Sequence, residues 1–179
     1  NDIGPEKVIW RYDPVILSPE TGLEFHMRNF SSLVSRLSGS TKKCIISFGT
    51  MYKKNIRNFR EKKIRLANHE EINILATSFQ KDASANGISL QCCSSRPEQQ
   101  TAIIPPGSCV DVELIEHIGR KKINIGQKNN QRQYCLCAPS KDIGAYNTCP
   151  HGCVYCYANS SQHRARMNFN RHNPDSPCL

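Results

Sequence analysis

The chain has 179 residues, 38% of them hydrophobic, and carries a formal net charge of +9 from 24 Lys and Arg against 15 Asp and Glu. That length buries a core of one ordinary domain, and no apolar stretch is long enough to span a bilayer. Its ten cysteines crowd late in the chain, which excludes the evenly stapled pattern of a small secreted disulfide scaffold.

The chain starts at Asn1 and enters the apolar run 8–10 almost at once, with no basic-then-apolar secretory signal. The expectation is a fragment of a larger domain, soluble and cytoplasmic. Residues 8–17 read as a β-strand interrupted near Asp13-Pro14. Thr21 offers an N-cap with Glu24 as its capping-box partner. Leu23, Met27, Phe30, Val34 and Leu37 then recur at helical spacing up to Gly39. Residues 44–48 read as a short buried strand, and 50–65 as a basic loop with some helix. Asn68 and Glu71 form a second cap signature, followed by the helical face Ile72, Leu75, Ala76 and Phe79 and the stop Gly87. Residues 88–92 make another strand and 94–107 a loop. Ser108 is the expected cap of a last helix carrying Val110, Leu114, Ile115 and Ile118, closed by Gly119.

This β-α-β-α-β-α order predicts parallel strands joined by crossover helices, in a partial (β/α) barrel or a small open sheet. An exposed sheet edge fits a domain with further strands elsewhere. The expected division is 1–119 as (β/α) units and 120–179 as a Cys-rich, mostly loop segment that folds around metal.

Five cysteines, Cys135, Cys137, Cys149, Cys153 and Cys156, fall within 22 residues. That asymmetry points to metal binding in a reducing compartment. Cys149, Cys153 and Cys156 form C-x3-C-x2-C with Tyr155 just before the third cysteine. Three thiolates at this spacing wrap one face of a 4Fe–4S cube and leave the fourth iron without a protein ligand, as cluster chemistry on a substrate requires. S-adenosylmethionine chelates such an iron, and an electron from the cluster cleaves its carbon–sulfur bond. A structural zinc site is the rival: Cys153 and Cys156 supply one close pair and Cys135 and Cys137 the other, with His151, His163 and His172 as further donors.

Cys135 and Cys137, with Cys109 and Cys93 or its neighbour Cys92, are candidates for an auxiliary cluster. The competing view is that Cys92, Cys93 and Cys109 pack as small hydrophobes. Cys44 reads as core and Cys178 as free. Arg11 and Asp13, at the end of the first strand, are either substrate or cofactor contacts or an ion pair that orders a loop, and Arg132 and Asp142 carry the same alternatives. The basic residues look scattered along the chain and read mainly as solvated faces. A nucleic-acid groove interleaves aromatics with its charges, and only Tyr134, Tyr155 and Tyr157 lie near late basic residues; the alternative function is a zinc-stabilised, non-catalytic nucleic-acid-binding module.

The run from Gln131-Arg132 through Cys135-Leu136-Cys137 and Asp142 to Asn159, with the Trp10-Arg11-Tyr12-Asp13-Pro14 and Ser108-Cys109-Val110-Asp111 segments, resembles a prokaryotic family catalogued as domain of unknown function 1848. The resemblance covers essentially the whole chain. It implies a radical S-adenosylmethionine protein whose cysteine motif sits at the C-terminus, on a rearranged barrel. It also implies an additional N-terminal stretch in full-length members. The expectation for such an enzyme is Tyr155 packed beside cluster and cofactor, and an electron donor such as ferredoxin or flavodoxin. The glycine-rich segment that usually holds the amino group of S-adenosylmethionine is not visible in these residues. By analogy of fold alone, the nearest enzymes are those resembling spore photoproduct lyase, which act on DNA.

Overall fold

The computed structural model describes residues 3–93, 96–126, 133–140 and 143–176. They divide into two compact units. The first, residues 1–49 and 65–140, holds a four-stranded parallel sheet in chain order. Its strands are β1 (Ile9–Val15), β2 (Lys43–Phe48), β3 (Ser89–Cys93) and the short β4 (Pro106–Gly107). Helices α1 (Leu23–Leu37) and α3 (His69–Ala85) cross between them, and α4 (Val112–Gly119) follows β4. The second unit, residues 50–64 and 141–179, holds α2 (Ile56–Glu61) and α5 (Gln162–Arg171). No described helix is long and apolar enough to cross a membrane.

Alternation along parallel strands gives the sheet two different faces. Ile9 aligns with Lys43 and Ser89, and Arg11 with Ile45 and Gln91. The even-numbered residues Tyr12, Cys44, Ile46, Leu90 and Cys92 join Phe30, Val34, Leu75 and Phe79 of α1 and α3 in the core. Phe30 stacks on Phe79 with ring centroids 4.2 Å apart and on Trp10 at 5.0 Å. Such pairs add about 0.5–1.5 kcal/mol each beyond their burial. Cys44 is wholly buried, and burial pushes its thiol up to about 12. The opposite face carries Arg11, Asp13, Lys43, Ser47, Gln91 and Cys93, so the chemistry sits on the side away from α1 and α3.

The expected strands and the first two helices are present. The Asn68–Glu71 capping box is complete, with Glu71 N–H donating to Asn68 Oδ1 at 2.9 Å and Asn68 N–H to Glu71 Oε2 at 3.0 Å. Three local expectations are corrected. Gly22, not Thr21, caps α1, because the Thr21 hydroxyl is drawn to Ser18 Oγ at 2.8 Å and the Ile16 carbonyl at 3.3 Å. Asp111, not Ser108, caps α4, accepting from Leu114 N–H at 3.2 Å, and α4 buries none of its residues. The loop expected over 94–107 contains β4, and the loop-like C-terminal segment contains α5, capped by Ser161.

Gly107 is fixed by close approach: a Cβ there would run into the Gln91 side chain on β3. β4 therefore lies against β3 only because position 107 has no side chain. Arg132, Asp142 and Cys178 lie outside the described residues.

Candidate metal centre

After β4 the chain turns back across the polar face of the sheet. Two contacts fix this course: Arg11 reaches Cys109, and Lys43 Nζ pairs with Asp111 at 2.6 Å. Burial works against the Asp111 charge, but Lys43 and the Leu114 and Glu113 amides hold the carboxyl below its usual range. A second segment is pinned above the first, since Ala138 N–H donates to the Val110 carbonyl at 2.9 Å.

This layering brings three cysteines from distant parts of the sequence together. Cys93, Cys109 and Cys137 have all their sulfurs within 4.8 Å of one another. They are the one such group of His, Cys, Asp and Glu donors among the described residues. Cys109 Sγ lies 3.3 Å from Cys93 Sγ, and Cys137 Sγ accepts from the Cys109 and Val110 amides at 3.2 and 3.5 Å. Cys93 and Cys137 are buried and Cys109 half-buried. Strand alternation decides between Cys93 and Cys92: Cys92 faces the core and Cys93 the polar face. Cys135 is half-buried and falls outside the group.

The electrostatics favour a cation. The adjoining Cys93 sulfur, and then burial, push the Cys109 thiol far up, and positive charge beside it favours its thiolate. Arg11 supplies part of it. Partial burial opposes its charge, but Asp13 and the Cys109 and Cys93 sulfurs hold it protonated. Asp13 bonds both Arg11 and the Ser47 hydroxyl, so the guanidinium is aimed from the strand itself.

The donor set fits a metal. A tetrahedral ion with metal–sulfur distances of about 2.3 Å sets its sulfurs about 3.8 Å apart, which is the scale of this triad. A cube binds each thiolate through a different iron and spreads them farther. Gln91 Oε1 is buried on the same face with no hydrogen-bond partner among the described residues.

The second unit holds Cys149, Cys153 and Cys156, the first two exposed and the third half-buried. Their sulfurs are not drawn together as the triad's are. The loop is nonetheless built. Gly152 adopts φ +79°, which L side chains rarely do, and turns the chain between Cys149 and Cys153. Cys156 N–H bonds the Cys153 carbonyl at 3.1 Å. Asn159, missed in the sequence, ties both ends: its N–H donates to Cys156 Sγ at 3.3 Å and its Nδ2 to the Cys149 carbonyl at 2.7 Å. The i, i+3 spacing from Cys156 to Asn159 was the available signal.

Tyr155 anchors this loop. Its hydroxyl accepts from Thr50 N–H at 2.7 Å and donates to the Thr50 carbonyl at 2.8 Å. Its ring meets Tyr52 at 5.9 Å and Phe59 at 6.0 Å. Asn55 and Asn58 donate to the Tyr155 and Val154 carbonyls at 3.3 and 3.0 Å.

The model of the family described as Domain of unknown function (DUF1848) matches residues 1–158. The chain belongs to this family. The match takes in Arg11, Asp13 and the cysteines of both groups, Cys93, Cys109 and Cys137 and Cys149, Cys153 and Cys156, of this DUF1848 chain. No curated protein and no solved structure matches the chain.

Proposed function

We propose that the chain is an iron–sulfur protein of the radical S-adenosylmethionine type, with two metal centres. Cys149, Cys153 and Cys156 hold a 4Fe–4S cluster with one iron open, and Cys93, Cys109 and Cys137 hold a second metal. The observation that carries metal dependence is the convergence of Cys93, Cys109 and Cys137 beside Arg11. The cluster type rests on the C-x3-C-x2-C spacing with its glycine turn, and on the N–H donated to Cys156, since hydrogen bonds to ligand sulfurs tune such clusters.

When bound, the cluster supplies the electron for reductive cleavage of S-adenosylmethionine. The chain's own residues hold and orient. Tyr155 spends its hydroxyl on Thr50 and so offers its ring, not its oxygen, to a neighbouring cofactor. Arg11 holds positive charge beside Cys109 and is placed to receive an anionic group of a substrate. The parallel sheet with consecutive strands as neighbours supports the reading of this unit as part of a (β/α) barrel, with the site on the face opposite the helices.

Protein purified without oxygen, loaded with iron and sulfide and then reduced, is expected to convert S-adenosylmethionine to 5′-deoxyadenosine and methionine. Absence of cleavage by fully loaded, reduced protein contradicts the proposal. A second reading holds for the triad alone: the short sulfur separations favour a single tetrahedral ion such as zinc over a second cluster. Metal analysis of Cys109→Ala separates these, with loss of one zinc in the first case and of several irons in the second.

A further inference from the structure

The basic charge that looked scattered in the sequence is gathered by the fold. Residues 50–64 and 141–179 form one unit and contain ten Lys and Arg against three Asp and Glu. That is +7 of the chain's +9 in 54 residues. Nine of these basic residues are described, six on 53–63 and three on 164–171, and all nine are exposed. Arg57 with Glu61 is the only ion pair of this unit among the described residues.

Aromatic rings stand among these charges. Tyr146, Tyr157 and Phe169 are 60%, 58% and 54% exposed, and exposed apolar rings grouped together mark interaction surfaces. They line two adjoining cavities that share Ala145 and Tyr146. The larger, about 610 Å³, runs between Tyr146 and Phe169, with Arg171 and His172 in its wall. The smaller, about 190 Å³, lies between Tyr146 and Tyr157. Lys54 bridges this line, with Nζ 5.6 Å from the Tyr146 ring centre and 3.4 Å from the Tyr157 carbonyl.

We infer that this unit binds single-stranded nucleic acid, with bases stacked on Phe169, Tyr146 and Tyr157 and phosphates met by Lys54, Arg171 and the basic residues of 53–63. Stacking rings spaced along a cationic track are what a flexible polyanion with flat bases selects. A membrane surface needs the charge but has no use for separate ring-lined slots, and a folded acidic protein has no flat groups to fill them. The larger cavity is of small-ligand size, large enough for a base. Thr148 in its wall directly precedes Cys149, so the strand passes beside the proposed cluster loop. The inference stands on charge and aromatics and does not need the cluster. Phe169, Arg171 and His172 lie beyond the residues matched by the family model, and Lys54, Tyr146 and Tyr157 within them.

Fluorescence anisotropy with end-labelled 20-nucleotide DNA and RNA oligonucleotides, single and double stranded, over a salt series tests it. Single strands are expected to bind more tightly than duplex, and the tighter of the DNA and RNA arms names the sugar. Tyr146→Ala and Phe169→Ala should each weaken binding about tenfold without changing the salt slope, while Tyr146→Phe retains affinity. Lys54→Gln and Arg171→Gln should each reduce the slope by about one. The inference is overturned by no oligonucleotide binding at about 50 mM salt, and equally by binding that ignores ring removal, which marks a generic polyanion surface. Capture by phosphatidylserine–phosphatidylcholine vesicles without oligonucleotide binding overturns it as well.

Discussion

Single residues decide whether either cysteine group can hold a metal. Gly152 is the clearest, because its surroundings leave room for a methyl group while its φ of +79° does not favour one. Gly152→Ala is expected to cost about 1 kcal/mol locally and to lower the iron retained by the C-terminal loop, read as iron per chain after anaerobic desalting. Arg11 acts on the triad from outside the ligand set. Arg11→Gln removes the cation that faces Cys109, and residues in this position typically change metal affinity ten- to a hundredfold. A chelator competition at fixed pH reads that loss, and an unchanged affinity would reduce Arg11 to an ordering role. His26 sets a pH limit on the first unit. Its Nε2 bonds the Ile16 carbonyl at 2.8 Å and its Nδ1 the Tyr12 hydroxyl at 2.9 Å, an arrangement that suits the neutral ring. Burial lowers its pKa from 6.5, so the unfolded chain takes up the proton first as pH falls. Stability should be complete above about 6.5 and decline below it. Melting temperatures from pH 8 to 5 should show this slope, and His26→Gln should flatten it.

At the scale of elements, caps and aromatic packing carry the stability of the helices. Asn68→Ala removes the arm of the capping box that its side chain accepts from the Glu71 N–H, while the backbone N–H of residue 68 still reaches Glu71, and should cost about 1 kcal/mol in chemical denaturation. That cap, like the faces of α1 and α3, was legible because its parts are close in sequence and repeat at helical spacing. α5 was not, because Ala165 is its only buried residue and its charged surface shows no apolar period. β4 has only two residues and begins with proline, so no strand pattern exists to read; tertiary pairing with Cys92 and Cys93 creates it. The caps of α1 and α4 were misplaced because Thr21 and Ser108 have the right chemistry one and three residues too early. The cysteine triad was half legible: Cys93, Cys109 and Cys137 were candidates by residue type. What selected them, and left out Cys135 and Cys92, is strand parity and the return of the chain across the sheet.

On the scale of the molecule, the fold sorts what the sequence mixes. The first unit has the sheet and the triad, and the second has the C-x3-C-x2-C loop together with most of the net charge. The central claim is that the two cysteine groups are separate metal centres of different kinds. Iron, sulfide and zinc per chain, measured on anaerobically purified wild type, Cys153→Ala and Cys109→Ala, test it most directly. The account predicts that Cys153→Ala loses about four irons and four sulfides and keeps the second metal, while Cys109→Ala loses the second metal and keeps the cluster. A colourless wild-type protein with zinc alone, or both variants losing the same metal, would contradict it.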